Sequence, residues 1–321
     1  MTRETCLFRE EMKKIMQRLE VLDFSDLLLH DLPPNPQWIS GGVLPKNGEL
    51  LISSYAKAGK SWIILEIIRS LVLGEPLFGY GGFSVMEPAK VFLVDAELGV
   101  YNLQKRGRKS YSDVNPLDFS GRLYVAPKNP KLNFSSVEGI KYFKSIVTDY
   151  QPDVLILDPI GRMIFEDENS AEVITRLFHE LAELRYLGHS WGLSVAMVHH
   201  FGKPPKNEQA REGYDALDPY NMRGSSQFFG APDTLVTMHR TGKITTPLHE
   251  EAWEIGARFT FRAAPGLPDF KLSFNRKLDH RIRYEGMELP PPEPTLSSSG
   301  VEKEEKSRTF PKVDRGKGWR G

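Results

Sequence analysis

The sequence predicts an α/β fold: a mostly parallel sheet with helices on both faces and an antiparallel hairpin at its C-terminal side. Three observations carry this expectation. Strand-like and helix-like segments alternate from Trp38 to about Asn275. Several strand segments, "VLILD" and "SVAMV" among them, are apolar on both faces, as strands between two helix layers are. One strand also runs through a loop of small residues into an apolar helix, "LLISSYAKAGKSWIILEIIRS".

Composition narrows the classes. The chain has 321 residues, 40% of them apolar and 26% charged, an ordinary globular balance. Its formal net charge is zero, so any basic surface must be local. The single cysteine, Cys6, excludes a disulfide framework and a thiolate metal cluster and fits a reducing, cytoplasmic setting. The charged N-terminus lacks the apolar core of a signal peptide, and no apolar run is long enough to span a membrane. No membrane partner is expected.

In chain order, residues 1–36 form a helical arm or linker. "REEMKKIMQRLEVL" has helical spacing, and "DLPPNPQW" breaks it. The arm is either a solvated helix packed lightly on the body or a segment that docks on a neighbouring subunit. Residues 37–282 form the main domain. Strands are expected over 49–53, 90–95, 123–126, 153–158, 194–198 and 234–239, and helices over 61–73, 136–150 and 171–187. The last helix carries Ile174, Leu177, Phe178, Leu181 and Leu184 on one stripe. "EAWEIGARFTFRAAPGLPDFKLSFN" predicts the closing hairpin, with its turn at "APGLPD". Residues 283–321, rich in proline, serine and charge, are expected to be a disordered tail.

The loop after the first strand fits the phosphate-binding pattern G-x-x-x-x-G-K-[ST] at all but its first position. The residues are Ser54, Tyr55, Ala56, Lys57, Ala58, Gly59, Lys60 and Ser61, followed by Trp62. Gly59 lets the backbone approach phosphates, Lys60 brings charge to the β- and γ-phosphates, and Ser61 offers a hydroxyl to Mg²⁺. Ser54 stands where glycine is usual, which leaves the loop's geometry open. Asp158, closing the apolar strand "DVLILD", can hold a water on Mg²⁺ beside Ser61. ATP and Mg²⁺ are therefore the expected cofactors. Pro159 occupies the position after Asp158, so a water-orienting carboxylate must come from elsewhere. Glu97, just past the end of the strand "VFLVD", is preferred, and Asp95 is the competing choice.

Taken together, "PQWISGGVLPKNGELLISSYAKAGKS", "VFLVDAELG", "DVLILDPIGRMIFEDENSAEV", "VAMVHHFGKP" and "MRGSSQFFGAPDTLVTMHR" resemble the RepA-like hexameric ATPases, close to the RecA and DnaB helicases. The resemblance implies a RecA-like P-loop NTPase core and an ATP-hydrolysing homo-oligomeric ring, with six subunits expected. It implies a polar γ-phosphate sensor at "VHH", where His200 is preferred and His199 stands close behind. It implies a loop facing single-stranded DNA, where Lys203, Lys206 and Arg211 could contact phosphates, although neighbouring acids dilute their charge. Arg162 is a second channel candidate. Arg223, Gly224 and Ser225 would couple that loop to the nucleotide state, and Asp233 would cap or brace the strand that follows it. The resemblance also implies an arginine finger on the late hairpin. Arg262 is preferred and Arg258, on the same face of the strand, is its partner. The implied output is translocation on single strands, as in a plasmid or phage-type replication helicase. Two alternatives stay open: a regulatory or recombination ATPase that binds DNA without unwinding it, and a nucleotide-gated assembly factor that does not hydrolyse.

Overall fold

The computed structural model describes residues 24, 28, 35–187, 192–203, 214–245, 251–275 and 279–288. Almost all of the expected arm, and the tail beyond residue 288, lie outside them.

A small antiparallel pair, β1 (Gln37–Ile39) and β2 (Leu44–Pro45), precedes the main sheet. The chain then follows β3 (Glu49–Ser54), α1 (Lys60–Leu73), β4 (Val91–Asp95), α2 (Val100–Ser110), β5 (Leu123–Ala126), α3 (Val137–Tyr150), β6 (Val154–Asp158), α4 (Ala171–Leu187) and β7 (Ser194–His200). It ends with α5 (Gln227–Gly230), β8 (Thr234–Thr245), β9 (Glu251–Phe261), β10 (Asp269–Phe274) and β11 (Ile282–Glu288). The nine-stranded sheet has the order β11-β10-β9-β8-β3-β7-β6-β4-β5. Its pairings are parallel from β8 to β5 and antiparallel from β8 to β11.

The strand period of two sorts side chains into two cores. Leu50, Ile52, Val91, Leu93, Val154, Ile156, Ala196 and Val198 face one layer, with Ile63, Ile64, Ile67, Ile68 and Leu71 of α1. Leu51, Phe92, Val94, Leu155, Leu157, Val195 and Met197 face the other, with Phe143, Ile146 and Val147 of α3 and the Ile174, Leu177, Leu181, Leu184 stripe of α4. The mostly parallel α/β sheet and the closing hairpin are therefore as expected.

Three features were not. Helix α2 is largely polar, "VYNLQKRGRKS", and only Ser110 is fully buried, so apolar periodicity leaves little trace of it. Strand β8 runs to Thr245 and makes a long hairpin with β9. Strand β11 begins at Ile282 and pairs with β10 through Glu288, so the sheet continues past the expected boundary at 282. Its "IRYEGME" is polar because it lies at the edge of the sheet, where among the described residues one side meets no strand.

Candidate nucleotide site

Parallel strands end on the same edge, so the tips of β3, β4, β6 and β7 converge there. Ser54 lies in register with His200, and Asp95 with Asp158.

Ser54 is the last residue of β3, paired with His200 on one side and Met238 on the other. The left-handed positions of the loop fall instead at Lys57, with φ 66°, and at Gly59, with φ 106°. The position that lacks glycine is thus ordinary strand, which any residue adopts. Gly59 opens α1, and Lys60 folds back over the loop. Its Nζ donates to Ser54 O at 3.0 Å, Ser54 Oγ at 3.1 Å and Tyr55 O at 2.9 Å. Burial lowers its pKa to about 8, against the opposing charges of Asp158 and Glu97. A buried ammonium resting on uncharged oxygens suits an incoming anion. Trp62 is otherwise engaged: its backbone N–H donates to Gly59 O at 2.9 Å, and its ring packs on Phe274 and His280.

The Ser61 hydroxyl neighbours the Asp158 carboxylate and favours its charged form. Burial, aided by the neighbouring Asp95 charge, pushes the Asp158 pKa up to about 7. Asp95 accepts from the N–H groups of Glu97 at 2.9 Å and Leu98 at 2.7 Å. It therefore folds the strand tip that presents Glu97, and it is buried where Glu97 is open. Glu97 Oε1 lies 3.7 Å from Arg162 Nε and 4.0 Å from His200 Nε2. Burial, then the Lys60 charge, holds the His200 pKa down at about 4, so a neutral ring approaches Glu97 and no ion pair forms at pH 7.

The two histidines differ in environment. His199 is 1% exposed and stacks on Phe228 with centroids 4.2 Å apart. Burial holds its pKa at about 4. A neutral ring must donate through Nε2 to the Arg223 carbonyl, 2.7 Å away, which leaves Nδ1 a buried acceptor without a protein partner. His200 borders the loop, while His199 supports the segment Arg223–Ser225. That segment is tied back to β7, since Arg223 N–H donates to His200 O at 3.0 Å. It is also tied to Glu168, whose carboxylate pairs with the Arg223 side chain and whose carbonyl accepts from Ser225 N–H at 2.9 Å.

The remaining expected residues lie farther out. Lys203 is exposed and lines an open pocket with Tyr55, Ala56, Phe201, Gly202 and Arg223. Lys206 and Arg211 lie outside the described residues. Asp233 Oδ2 accepts from Glu49 N–H at 2.8 Å and so braces the start of β3, where the strand that follows Asp233 was expected to be braced. Arg258 is clamped by Asp269, with Nε and Nη2 each 2.8 Å from a carboxylate oxygen, and it also pairs with Asp215. Arg262 follows Phe261, which is in register with Thr234 at the start of β8. This is the edge opposite the phosphate loop, and the Arg262 side chain bonds there to Gly230 O. Among the described residues neither arginine has a hydrogen bond or ion pair with the phosphate loop, although Arg258 lies level with Ser53 through Thr237.

Lys128 and Phe165, not singled out above, share a cavity with Ala96, Glu97 and Arg162. A signal for Lys128 was present: it lies two residues past the end of a parallel strand, as Glu97 does.

A central strand opening into a lysine-bearing loop, with the next hydroxyl beside an acid on another strand tip, is how P-loop ATPases are built. The match to an AAA domain family, over residues 15–206, agrees, and the chain belongs to that family. Comparison with curated proteins gives no match. Among the described residues no helix is long and apolar enough to cross a membrane.

Proposed function

We propose that this protein is an ATP-hydrolysing ring ATPase of the RecA-like class that moves on single-stranded DNA, a cytoplasmic replication helicase or translocase. The observation that carries the ATPase reading is the Ser61 hydroxyl next to the Asp158 carboxylate, beside a buried, charged Lys60. It is the donor set that Mg²⁺ and a triphosphate need. Bound ATP would exchange the loop oxygens around Lys60 for phosphate oxygens, and Ser61 and Asp158 would hold the cation. The metal would neutralise charge on the transferring group. Glu97 would orient the attacking water, and neutral His200, bordering both Ser54 and Glu97, would report loss of the γ-phosphate to Arg223–Ser225. A finger from a neighbour, Arg262 or Arg258, would make turnover depend on a homo-oligomer, expected to be a hexamer. Lys203, Lys206 and Arg211 would contact DNA phosphates.

The test is phosphate release with and without single-stranded DNA, together with a forked-duplex unwinding assay and a measurement of mass in solution. Stimulated hydrolysis with unwinding by a ring supports the whole reading. Hydrolysis without unwinding leaves a regulatory or recombination ATPase, and tight ATP binding without turnover leaves the assembly factor.

A further inference from the structure

Helix α1 carries Lys60 and Ser61 in its first turn, so the nucleotide site depends on where that helix is held. Little in the turn itself fixes it: Gly59 has no side chain to cap the helix, and no acid stands in the first turn. The inward face of α1 is isoleucine and leucine, and apolar contact has no preferred direction. The directional bonds lie farther along. Glu66, 3% exposed, accepts with one oxygen from Arg281 Nε at 2.8 Å and from the Ile282 N–H at 3.1 Å. Arg281 precedes β11 and Ile282 begins it. One turn later, Arg69 is forked onto Asp113, with Nη1 and Nη2 each 2.8 Å from a carboxylate oxygen, and its Nε donates to Glu75 at 2.7 Å. Arg281 reaches the same two acids, Glu75 at 3.7 Å and Asp113 at 3.6 Å.

The turn before β11 also touches the site end of the helix. Trp62, next to Ser61, packs on Phe274 of β10 and on His280, with ring centroids 5.2 and 5.0 Å apart. The turn is itself braced, since the Arg281 N–H donates to Asp279 Oδ1 at 3.0 Å. The edge strand thus grips α1 from Trp62 to Glu66, beginning beside the hydroxyl that faces Asp158. A buried ion pair of this kind adds little net stability, because desolvation offsets attraction. Its hydrogen bonds are nonetheless met in one placement of the helix only, so the pair selects that placement.

We propose that Arg281, acting through Glu66, is a positioning residue of the nucleotide site: it sets the rotation and axial position of α1 so that Lys60 and Ser61 meet the phosphates and Mg²⁺ together. This rests on the ATPase reading above and adds to it the part of the chain that holds the geometry. Arg281 is not a catalytic residue, because it works through the helix.

The test compares Arg281→Lys and the double variant Glu66→Gln/Arg281→Met with wild type, in the full chain, by thermal unfolding and by steady-state phosphate release over a range of Mg·ATP concentrations. The double variant removes both charges yet leaves the Ile282 N–H an acceptor, so its unfolding temperature should lie within about 5 °C of wild type. Its KM for Mg·ATP should rise about tenfold, as when the outer support of a metal site is removed. Its kcat should stay within about threefold, because Lys60 and Ser61 would grip ATP before and during the reaction alike, and Glu97 stands beyond β4. Arg281→Lys keeps a charge for Glu66 without the fork that reaches Glu75 and Asp113, and should raise KM about threefold. It is read on its own where the double variant does not fold. A role in stability alone would lower the unfolding temperature and leave KM untouched in the folded protein. An unchanged KM in either folded variant overturns the inference and leaves the ATPase reading intact. A wild-type protein that neither binds nor hydrolyses ATP overturns both.

Discussion

Asp95 and Asp158 end neighbouring parallel strands in register, and both carboxylates are buried, at 3% and 6% exposure. Burial and the Asp95 charge lift Asp158 to about 7 from an ordinary value of 3.8. A carboxyl raised on folding binds a proton more tightly in the native state, so native stability falls as pH rises from about 4 to about 7 and the full cost remains above that. Asp158→Asn should therefore stabilise the nucleotide-free protein at pH 8 by about 2 kcal/mol, with a smaller gain at pH 6, while Mg²⁺-dependent ATP binding is lost. Denaturant unfolding at both pH values checks the first part, and titration with a fluorescent ATP analogue checks the second. A variant no more stable than wild type at pH 8 would show that the buried charge is not unfavourable.

The same site should confine ATP affinity to a narrow pH range. Asp158 must lose its proton to hold a cation, and burial sets that step near 7; Lys60 must keep its proton to attract phosphate, and burial sets its loss near 8. Affinity for Mg·ATP is expected to peak between these values and to fall on both sides. The bound metal and phosphates favour the charged forms, so the limbs should spread apart in the complex. Calorimetric titration from pH 6 to 9 measures the profile. A flat profile across that range would remove both groups from the binding event.

Ser54 poses the opposite expectation, because a conspicuous departure from the phosphate-loop pattern should matter little. It lies in strand geometry, and its backbone carbonyl, which any residue supplies, accepts from Lys60. Ser54→Gly should change ATP affinity by less than about threefold, on the scale of one modest hydrogen bond. Lys60→Ala should reduce affinity by about a hundredfold, since it removes a buried charge facing the phosphates. Equal losses in the two variants would mean that the Ser54 hydroxyl is an essential ligand of Lys60.

How far the sequence can be read follows from the same physics. The buried parallel strands were legible because apolar runs bounded by loops have few other interpretations, and α4 was legible through its stripe. The tips were legible too, since a parallel strand delivers its last residue to a known edge, which located Ser54, Asp158 and Glu97. Asp95 was left as a rival base because sequence does not reveal that its carboxylate accepts two backbone N–H groups. The family resemblance left His199 close behind His200, and the structure separates them by burial, since adjacent strand residues face opposite ways. Helix α2 and strand β11 escaped because each presents little apolar surface. The position of Arg262 at the far edge depends on the antiparallel register of β8 and β9, which no local pattern encodes.

Glu97→Gln separates binding from chemistry. The residue is half-exposed and is held by the turn that Asp95 braces, so the amide should be accommodated without loss of folding. ATP affinity should stay within about threefold of wild type while turnover falls at least about a hundredfold, the usual contribution of a positioned base. Single-turnover phosphate release and equilibrium binding on the same preparation check both halves. Normal turnover in this variant would assign the water to another group.

Gly224→Ala tests the link between β7 and the segment Arg223–Ser225. Gly224 has φ 90°, and a Cβ there would lie 2.7 Å from the carbonyl oxygen of Glu168, a backbone atom that cannot rotate aside. Yet Ser225 N–H donates to that carbonyl at 2.9 Å, and Arg223 N–H donates to His200 O at 3.0 Å, so the segment can neither relax outward nor shift along the strand without breaking one of these bonds. The substitution should cost about 2–3 kcal/mol of stability through strain and a lost hydrogen bond. Gly230, with no atom within 4 Å of an added Cβ and no positive φ, is the control, and Gly230→Ala should be within about 0.5 kcal/mol of wild type. Because the phosphate loop is built from β3 and α1, ATP binding should survive in Gly224→Ala, whereas any stimulation of turnover by single strands should be reduced, since the route from His200 to the loop is broken. Thermal unfolding, ATP titration and stimulated phosphate release on the two variants separate these effects. Full stimulation in a destabilised Gly224→Ala would leave the segment a structural brace with no part in relaying the nucleotide state.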